Sequence, residues 1–294
     1  VLRAFGEEPY CTASLRDFTD ITSPYGYGGP FRWGEPWDRC ALKRFWGEFD
    51  TWAVKSRVVS EVVRFSLFPE SLVEYAGDRH VVSDNVVCVL KGNEELWRGF
   101  EHKVRKNVTR ARTSGVTVQV DLTGERLDEF LSIYAATMGR RSAKESYYFP
   151  REYFERLHIG LKGQFAYFHA CVGGAVVSTE LVLVSSRRVY SFLGGTDAAW
   201  FHVRPNELLK LEIMNWARAS GKTEFVLGGG YTPGDGIYRY KRSFAPHGSV
   251  PFSIGSRIFD VEAYHQMIDS RRAFAATQAV TWSPHPQYFP AYRG

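Results

Sequence analysis

Residues 165–193 read FAYFHACVGGAVVSTELVLVSSRRVYSFL, and this stretch decides the fold. β-branched and aromatic residues fill three runs of strand length, Phe165–Val172, Ala175–Val184 and Arg188–Leu193. Gly173-Gly174 joins the first two, because paired glycines supply the positive φ angles that tight hairpin turns require. The spacing predicts a three-stranded antiparallel meander. Downstream, Asn206–Ser220 is an amphipathic helix stopped by Gly221, and Glu224–Leu227 is a strand running into Gly228, Gly229 and Gly230. Upstream, Leu127–Gly139 and Pro150–Leu161 read as helices.

Further towards the N-terminus, Glu94–Ser114 reads as one helix. Trp97, Phe100, Val104, Val108 and Ala111 recur at the 3.6-residue period, and the other positions are largely charged. Gly115 supplies the C-cap, and VTVQV alternates as a strand. Leu42–Val54 looks helical, and Val58–Leu67 and Val86–Leu90 read as strands. In the first forty residues, SPYGYGGPFRWGEPW (23–37) sets Gly and Pro between aromatic rings, which predicts an ordered loop. After Arg257 come a short strand, a helix and the tail TWSPHPQYFPAY.

Composition narrows the class. Hydrophobic residues make up 44% and charged residues 23%, as in a globular protein, so disorder as a main theme is excluded. No apolar run approaches the roughly 20 residues of a membrane helix, and the first residues lack the apolar core of a secretory signal. Cys11, Cys40, Cys88 and Cys171 are scattered, which points to reduced thiols and a cytoplasmic protein. The eight histidines show no metal-ligand spacing, and the glycine triplet is not followed by G-K-S/T, so neither a metal site nor a nucleoside triphosphatase is expected. A net charge of +5 suits a polyanionic ligand without requiring one.

Five segments together resemble the Fem-type branch of the GNAT superfamily, the FemX-like aminoacyl and acyl transferases. They are SPYGYGGP (Ser23–Pro30), WRGFEHKVRKNVTRARTSGV (Trp97–Val116), SFLGGT (Ser191–Thr196), RPNELLK (Arg204–Lys210) and GDGIYRYKRSF (Gly234–Phe244). The order helix, helix, meander, helix, strand is that of a GNAT domain. The resemblance implies an α/β fold of two GNAT-like halves, with mixed, mostly antiparallel sheets around a central cleft. The first, reduced half would take residues 1–116 with 256–294, and the second 117–255. It implies transfer of an acyl or aminoacyl group to an amine such as a peptidoglycan precursor, an amino sugar or a peptide intermediate. The donor would be an aminoacyl-tRNA, making tRNA a partner, or an acyl thioester on coenzyme A or a carrier protein, with no covalently bound cofactor. The usual GNAT pyrophosphate loop, Q/R-x-x-G-x-G/A, is absent after Val184. A non-catalytic GNAT-like protein holding nucleic acid or another anionic ligand is the competing class.

Acyl transfer needs a deprotonated amine and a stabilised oxyanion. Lys241 matches the lysine the family uses near the reacting centre; otherwise it is a solvated lysine between Arg239 and Arg242. Period-2 reading places it on a strand, with Tyr238 and Tyr240 on one face and Arg239, Lys241 and Ser243 on the other. Glu180 stands among apolar strand residues, where burial would raise its pKa and suit a general base; pairing with Arg187 or Arg188, or exposure, is the alternative. Arg105 and Lys106 on the basic helix, and Arg204 with Asn206 at the next helix start, are candidates for the donor. Asn206 is equally an N-cap. Tyr25, Tyr27, Arg140, Arg141, Lys144 and Tyr240 are candidates for the acceptor, against plain loop and packing roles.

Overall fold

A computed structural model describes residues 1–285 and 288–294, so Pro286 and Gln287 of the C-terminal tail lie outside the described residues. In chain order the elements are β1 (Leu2–Ala4), β2 (Thr19–Thr22), α1 (Arg39–Lys55), β3 (Val58–Arg64), β4 (Asp78–Val89), α2 (Asn93–Gly99), α3 (His102–Thr113) and β5 (Thr117–Asp121). There follow α4 (Leu127–Arg140), α5 (Arg151–Gly160), β6 (Phe165–Val172), β7 (Ala175–Val184), β8 (Arg188–Thr196), α6 (Pro205–Ala219), β9 (Glu224–Gly228), α7 (Gly236–Arg242), β10 (Ser249–Ile258) and α8 (Val261–Thr277). The chain divides into two compact units, Val1–Ser83 with Pro251–Gly294, and Asp84–Val250. No helix among the described residues is long and apolar enough to cross a membrane.

The first unit carries the strand order β1-β2-β3-β10, antiparallel except for β2 and β3. Its core gathers Phe5, Tyr10 and Leu15 from the N-terminal segment with Tyr264, Met267 and Tyr292 from the C-terminal one. Tyr292 is fully buried: Ser60 Oγ lies 2.8 Å from its hydroxyl, and the Tyr10 hydroxyl donates to its carbonyl at 2.7 Å.

In the second unit the order is β4-β9-β8-β7-β6-β5, antiparallel except for the parallel pair β8 and β9. The meander forms as its sequence predicts, with Gly173 and Gly174 at φ of 56° and 86° in the turn. β6 is buried on both faces. Ala166, Phe168 and Ala170 pack with Val104 and Val108 of α3 and Leu209 and Ile213 of α6, while Phe165 and Tyr167 pack with Phe130 of α4 and Phe154 of α5. A fully buried side chain of this size contributes about 1.5–3 kcal/mol, so these two layers hold the sheet between helices.

The predicted helix Glu94–Ser114 is broken. Phe100 takes extended angles (φ −70°, ψ 146°) and buries its ring against Phe244, 5.6 Å between centroids. The Glu101 backbone N–H bonds to the Ser243 carbonyl at 2.9 Å rather than continuing a helix. The Arg105 guanidinium donates to the carbonyls of Arg98, at 3.3 Å, and Phe100. A side chain thus caps carbonyls left open where α2 ends. Trp97, Phe100, Val104, Val108 and Ala111 still join one core, so the periodicity names the buried face while missing the break.

Candidate active site

Parallel pairing of β8 with β9 covers only Arg188–Tyr190 against Glu224–Val226. β8 runs on to Thr196 and β9 to Gly228, so backbone groups beyond the ladder are free to border a site. On the other side of β8, the register with β7 shifts between Leu181 and Val182, pairing Leu181 with Leu193 and Val182 with Ser191. Such bulges re-aim side chains. Gly194 lies opposite Glu180, where a Cβ would come 2.6 Å from the Thr179 carbonyl oxygen, so glycine allows the close approach.

A buried charged cluster occupies this region. Glu180 of β7 is buried, and Lys210 of α6 donates to both of its oxygens at 2.5 Å. The Ser191 hydroxyl donates to the same carboxylate at 2.6 Å, and Lys210 also reaches Ser191 at 3.1 Å. A buried ion pair is tolerated only when its remaining hydrogen bonds are made, as here. Its partners are thus Lys210 and Ser191, while Arg188 binds Glu224 at 3.3 Å.

Lys241 enters the cluster from a helix, not from the predicted strand. Asp235 caps α7, accepting N–H bonds from Tyr238 at 2.8 Å, Tyr231 at 2.7 Å and Thr232 at 3.1 Å. That cap sets a helical turn over residues read as alternating, and it puts Tyr240 and Phe244 on the core side. Lys241 Nζ donates to the Gly229 carbonyl at 2.7 Å. Burial, and then the positive charge of Lys210, lower its pKa to about 8, against the opposing pull of Glu180 and Asp235. The glycine triplet serves packing. A Cβ at Gly229 would meet Asn85 Oδ1 at 2.4 Å, and one at Gly230 would meet Asp235 Oδ1 at 2.2 Å.

Beside the cluster, α3, α6 and α7 enclose a cavity of about 290 Å³, bordered by Asn107, Glu207 and Tyr240. Asn107 Nδ2 donates to Glu207 Oε1 at 2.7 Å, and both residues are buried. The Tyr240 hydroxyl is buried beside the Asn206 side chain. Burial, followed by the charges of Glu207 and Glu180, raises its pKa well above the usual phenol value, while the Asn206 side chain works the other way.

Of the remaining sequence candidates, Arg204 is exposed at φ 59° and is itself the residue before α6, with Pro205 first in the helix. Asn206 is therefore the second helical residue and not the N-cap, since proline at the first position fixes the start one residue earlier. Lys106 is exposed, whereas Arg105 is used on backbone carbonyls. Arg140 donates to the Thr196 carbonyl at 3.1 Å and stacks over Phe201, 5.0 Å from the ring centroid. Arg141 and Lys144 are exposed in the loop after α4. Tyr25 and Tyr27 belong to the first unit, where Tyr27 packs edge-on to Phe252 at 5.8 Å.

Sequence reading missed Ser191, Lys210, Glu207 and Asn107. A signal existed: Glu207, Lys210, Leu211 and Met214 fall at i, i+3, i+4 and i+7, which is the spacing of one buried helix face. Charges at core positions of a helix need partners, and here those partners are the site.

Residues 98–242 match the family model described as an acetyltransferase (GNAT) domain, a span containing Glu180, Ser191, Lys210, Tyr240 and Lys241. The fold superposes on the crystal structure of FemX with a TM-score of 0.62 at 14% identity, covering 85% of this chain and 83% of that one. The fold is thus FemX-like, and just under half of the chain is similar to a GNAT domain. A second similar structure is the C-terminal domain of a putative lysylphosphatidylglycerol synthetase from Agrobacterium fabrum, with a TM-score of 0.56, 15% identity, and 90% and 83% of the two chains covered. L-PGS from Bacillus licheniformis follows at 0.52 and 15%, over 71% of each. No curated protein matches the sequence. The cluster around Lys241 lies inside the span that is similar to an acetyltransferase (GNAT) domain.

Proposed function

We propose that this protein transfers an activated acyl or aminoacyl group to an amine, with Lys241 at the reacting centre. The observation that carries the reading is the setting of Lys241: an ammonium partly withdrawn from water, fixed on the Gly229 carbonyl, beside the Lys210–Glu180 pair. The attacking nitrogen lone pair adds to the donor carbonyl, an oxyanion develops, and the intermediate collapses with loss of the oxygen or sulfur leaving group. A lysine with a pKa of about 8 is mostly protonated at neutral pH and can donate to the oxyanion or to the departing atom. Glu180, with both oxygens held by Lys210, is assigned to fixing that ammonium and balancing the charge of the site rather than to taking a proton.

The donor is an aminoacyl-tRNA or an acyl thioester, and the acceptor an amine of a peptidoglycan precursor, an amino sugar or a peptide intermediate. Lys103, Lys106 and Arg110 are exposed on α3 and suit phosphates; Arg204 and Asn206 lie near the donor path, and Tyr25, Tyr27, Arg141 and Lys144 are assigned to the acceptor. The two compact units are read as two GNAT-like halves, the segment from Asp84 having joined the second. A transfer assay tests the reading. Labelled aminoacyl-tRNAs, acyl-CoAs and acyl carrier proteins are offered with amine acceptors, and absence of Lys241-dependent transfer from every donor class would remove it.

A further inference from the structure

Four charged residues border the cavity between α3, α6 and α7, and they are not alike. Glu101, Lys103 and Arg239 are exposed, whereas Glu207 is 8% exposed. No cation pairs with Glu207 among the described residues; Asn107 holds one oxygen, at 2.7 Å. A carboxylate buried without a counter-charge is expensive unless something completes it. Tyr240, its hydroxyl buried beside Asn206, borders the same space. A carboxylate with one oxygen left over, and a phenol oxygen that keeps acceptor capacity beside Asn206, at one small cavity fit a compact cation that offers several N–H donors.

We infer that this cavity is a subsite for the primary ammonium of an aminoacyl donor, with Glu207 as its anionic anchor and Tyr240 as a second ligand. The ammonium belongs to the donor and not to the attacking amine. A nucleophile must lose its proton to react, whereas a carboxylate neighbour favours keeping it. Tyr240 directly precedes Lys241 in α7, so the second ligand and the reacting lysine are carried by the same short helix. The exposed Lys103 and Arg239 stand at the same cavity, where a phosphate-bearing carrier would pass. The inference deepens the proposed transfer and rests on it for the donor's placement, but it selects an aminoacyl group over a plain acyl one.

The test is binding, which needs no turnover. Alaninamide, serinamide and lysinamide are titrated against the full chain by calorimetry, each beside its N-acetyl counterpart, which lacks the ammonium. Wild-type protein should bind at least one free amide about 10- to 100-fold more tightly than its acetylated partner, as expected for a charge-assisted buried contact. The Glu207→Gln protein should lose that preference, while Lys241→Ala should keep it even if transfer is abolished. No binding of any amide by wild type, equal binding of free and acetylated forms, or a preference unchanged in Glu207→Gln would each overturn the subsite. A preference that persists with no transfer from any donor would uphold the subsite and sink the proposed reaction instead. The wild-type comparison stands alone if the glutamine variant fails to fold.

Discussion

Lys241 is stable in its place only against electrostatic resistance, and two predictions follow at this scale. Below pH 8 the lysine is charged in folded and unfolded chain alike, so the folded state bears the whole desolvation penalty. Between about 8 and the ordinary value of 10.5 the folded protein releases its proton first, and above that range neither state is charged. The Lys241→Met protein should therefore be more stable than wild type at pH 7, by on the order of 1–3 kcal/mol after solvent screening. Denaturant titrations across pH should show the gap closing as pH rises through that window; a constant gap would contradict it. For turnover, Lys241→Ala should lose roughly two to three orders of magnitude, as when one oxyanion donor is removed, with Lys241→Arg recovering part. Near wild-type turnover in the alanine variant would take the lysine out of the mechanism. The sequence singles this residue out through the family resemblance, but its helical setting is not legible there. GIYRYKR alternates convincingly, and the deciding Asp235 cap lies just before it. Lys210 and Glu207 were legible only to a reader who asked why charges occupy core positions of α6.

Elements were read more securely than their joints. The meander, α4, α5, α6 and β9 follow from period and turn chemistry, because each is set by residues within itself. The break between α2 and α3 depends on Ser243, far along the chain, whose carbonyl takes the Glu101 N–H. No local pattern carries that information. The engagement of Arg105 with backbone carbonyls also divides the basic helix by role. If the proposed donor is an aminoacyl-tRNA, reversing the charges of Lys103, Lys106 and Arg110 should weaken its binding and flatten the salt dependence, measured by filter binding from low to moderate salt. Changing Arg105 should instead lower the melting temperature. Where α4 crosses β8, a Cβ on Gly195 would stand 2.4 Å from Thr137 Oγ1 and 3.0 Å from the Ile133 carbonyl. Gly195→Ala should cost about 1–3 kcal/mol, and Thr137→Ala should restore only part, since the carbonyl clash remains. Asp121 closes the turn into α4. Burial acts to raise its pKa, but backbone N–H bonds from Arg126, Thr123 and Gly124 outweigh it and hold the carboxyl at about 2. That contribution, about 2 kcal/mol, is complete above the ordinary value of 3.8 and disappears as pH falls through about 2. Asp121→Asn should lose it at pH 7 and match wild type in strong acid.

On the scale of the whole molecule, the second unit is one uninterrupted segment and the first is assembled from both ends of the sequence. Tyr292 is the plainest sign of this, buried against Tyr10 and Ser60, with Arg293 bound to Asp20 at 2.5 Å. Tyr292→Ala should destabilise the first unit by about 3–5 kcal/mol. Amide exchange should then quicken in Val1–Ser83 and Pro251–Gly294 and leave Asp84–Val250 protected; a uniform change would deny the division. The same interleaving sets an order of birth. On the ribosome, the residues that form β1 to β3 emerge before the second unit but cannot bury Phe5 and Tyr10 until Tyr264 and Tyr292 are translated. Meanwhile the second unit is complete as a sequence once Val250 has left the tunnel. At synthesis rates of roughly 5–20 residues per second, the N-terminal segment waits several seconds longer for its partner strand and helix. Residues made after the second unit are what allow residues made before it to fold.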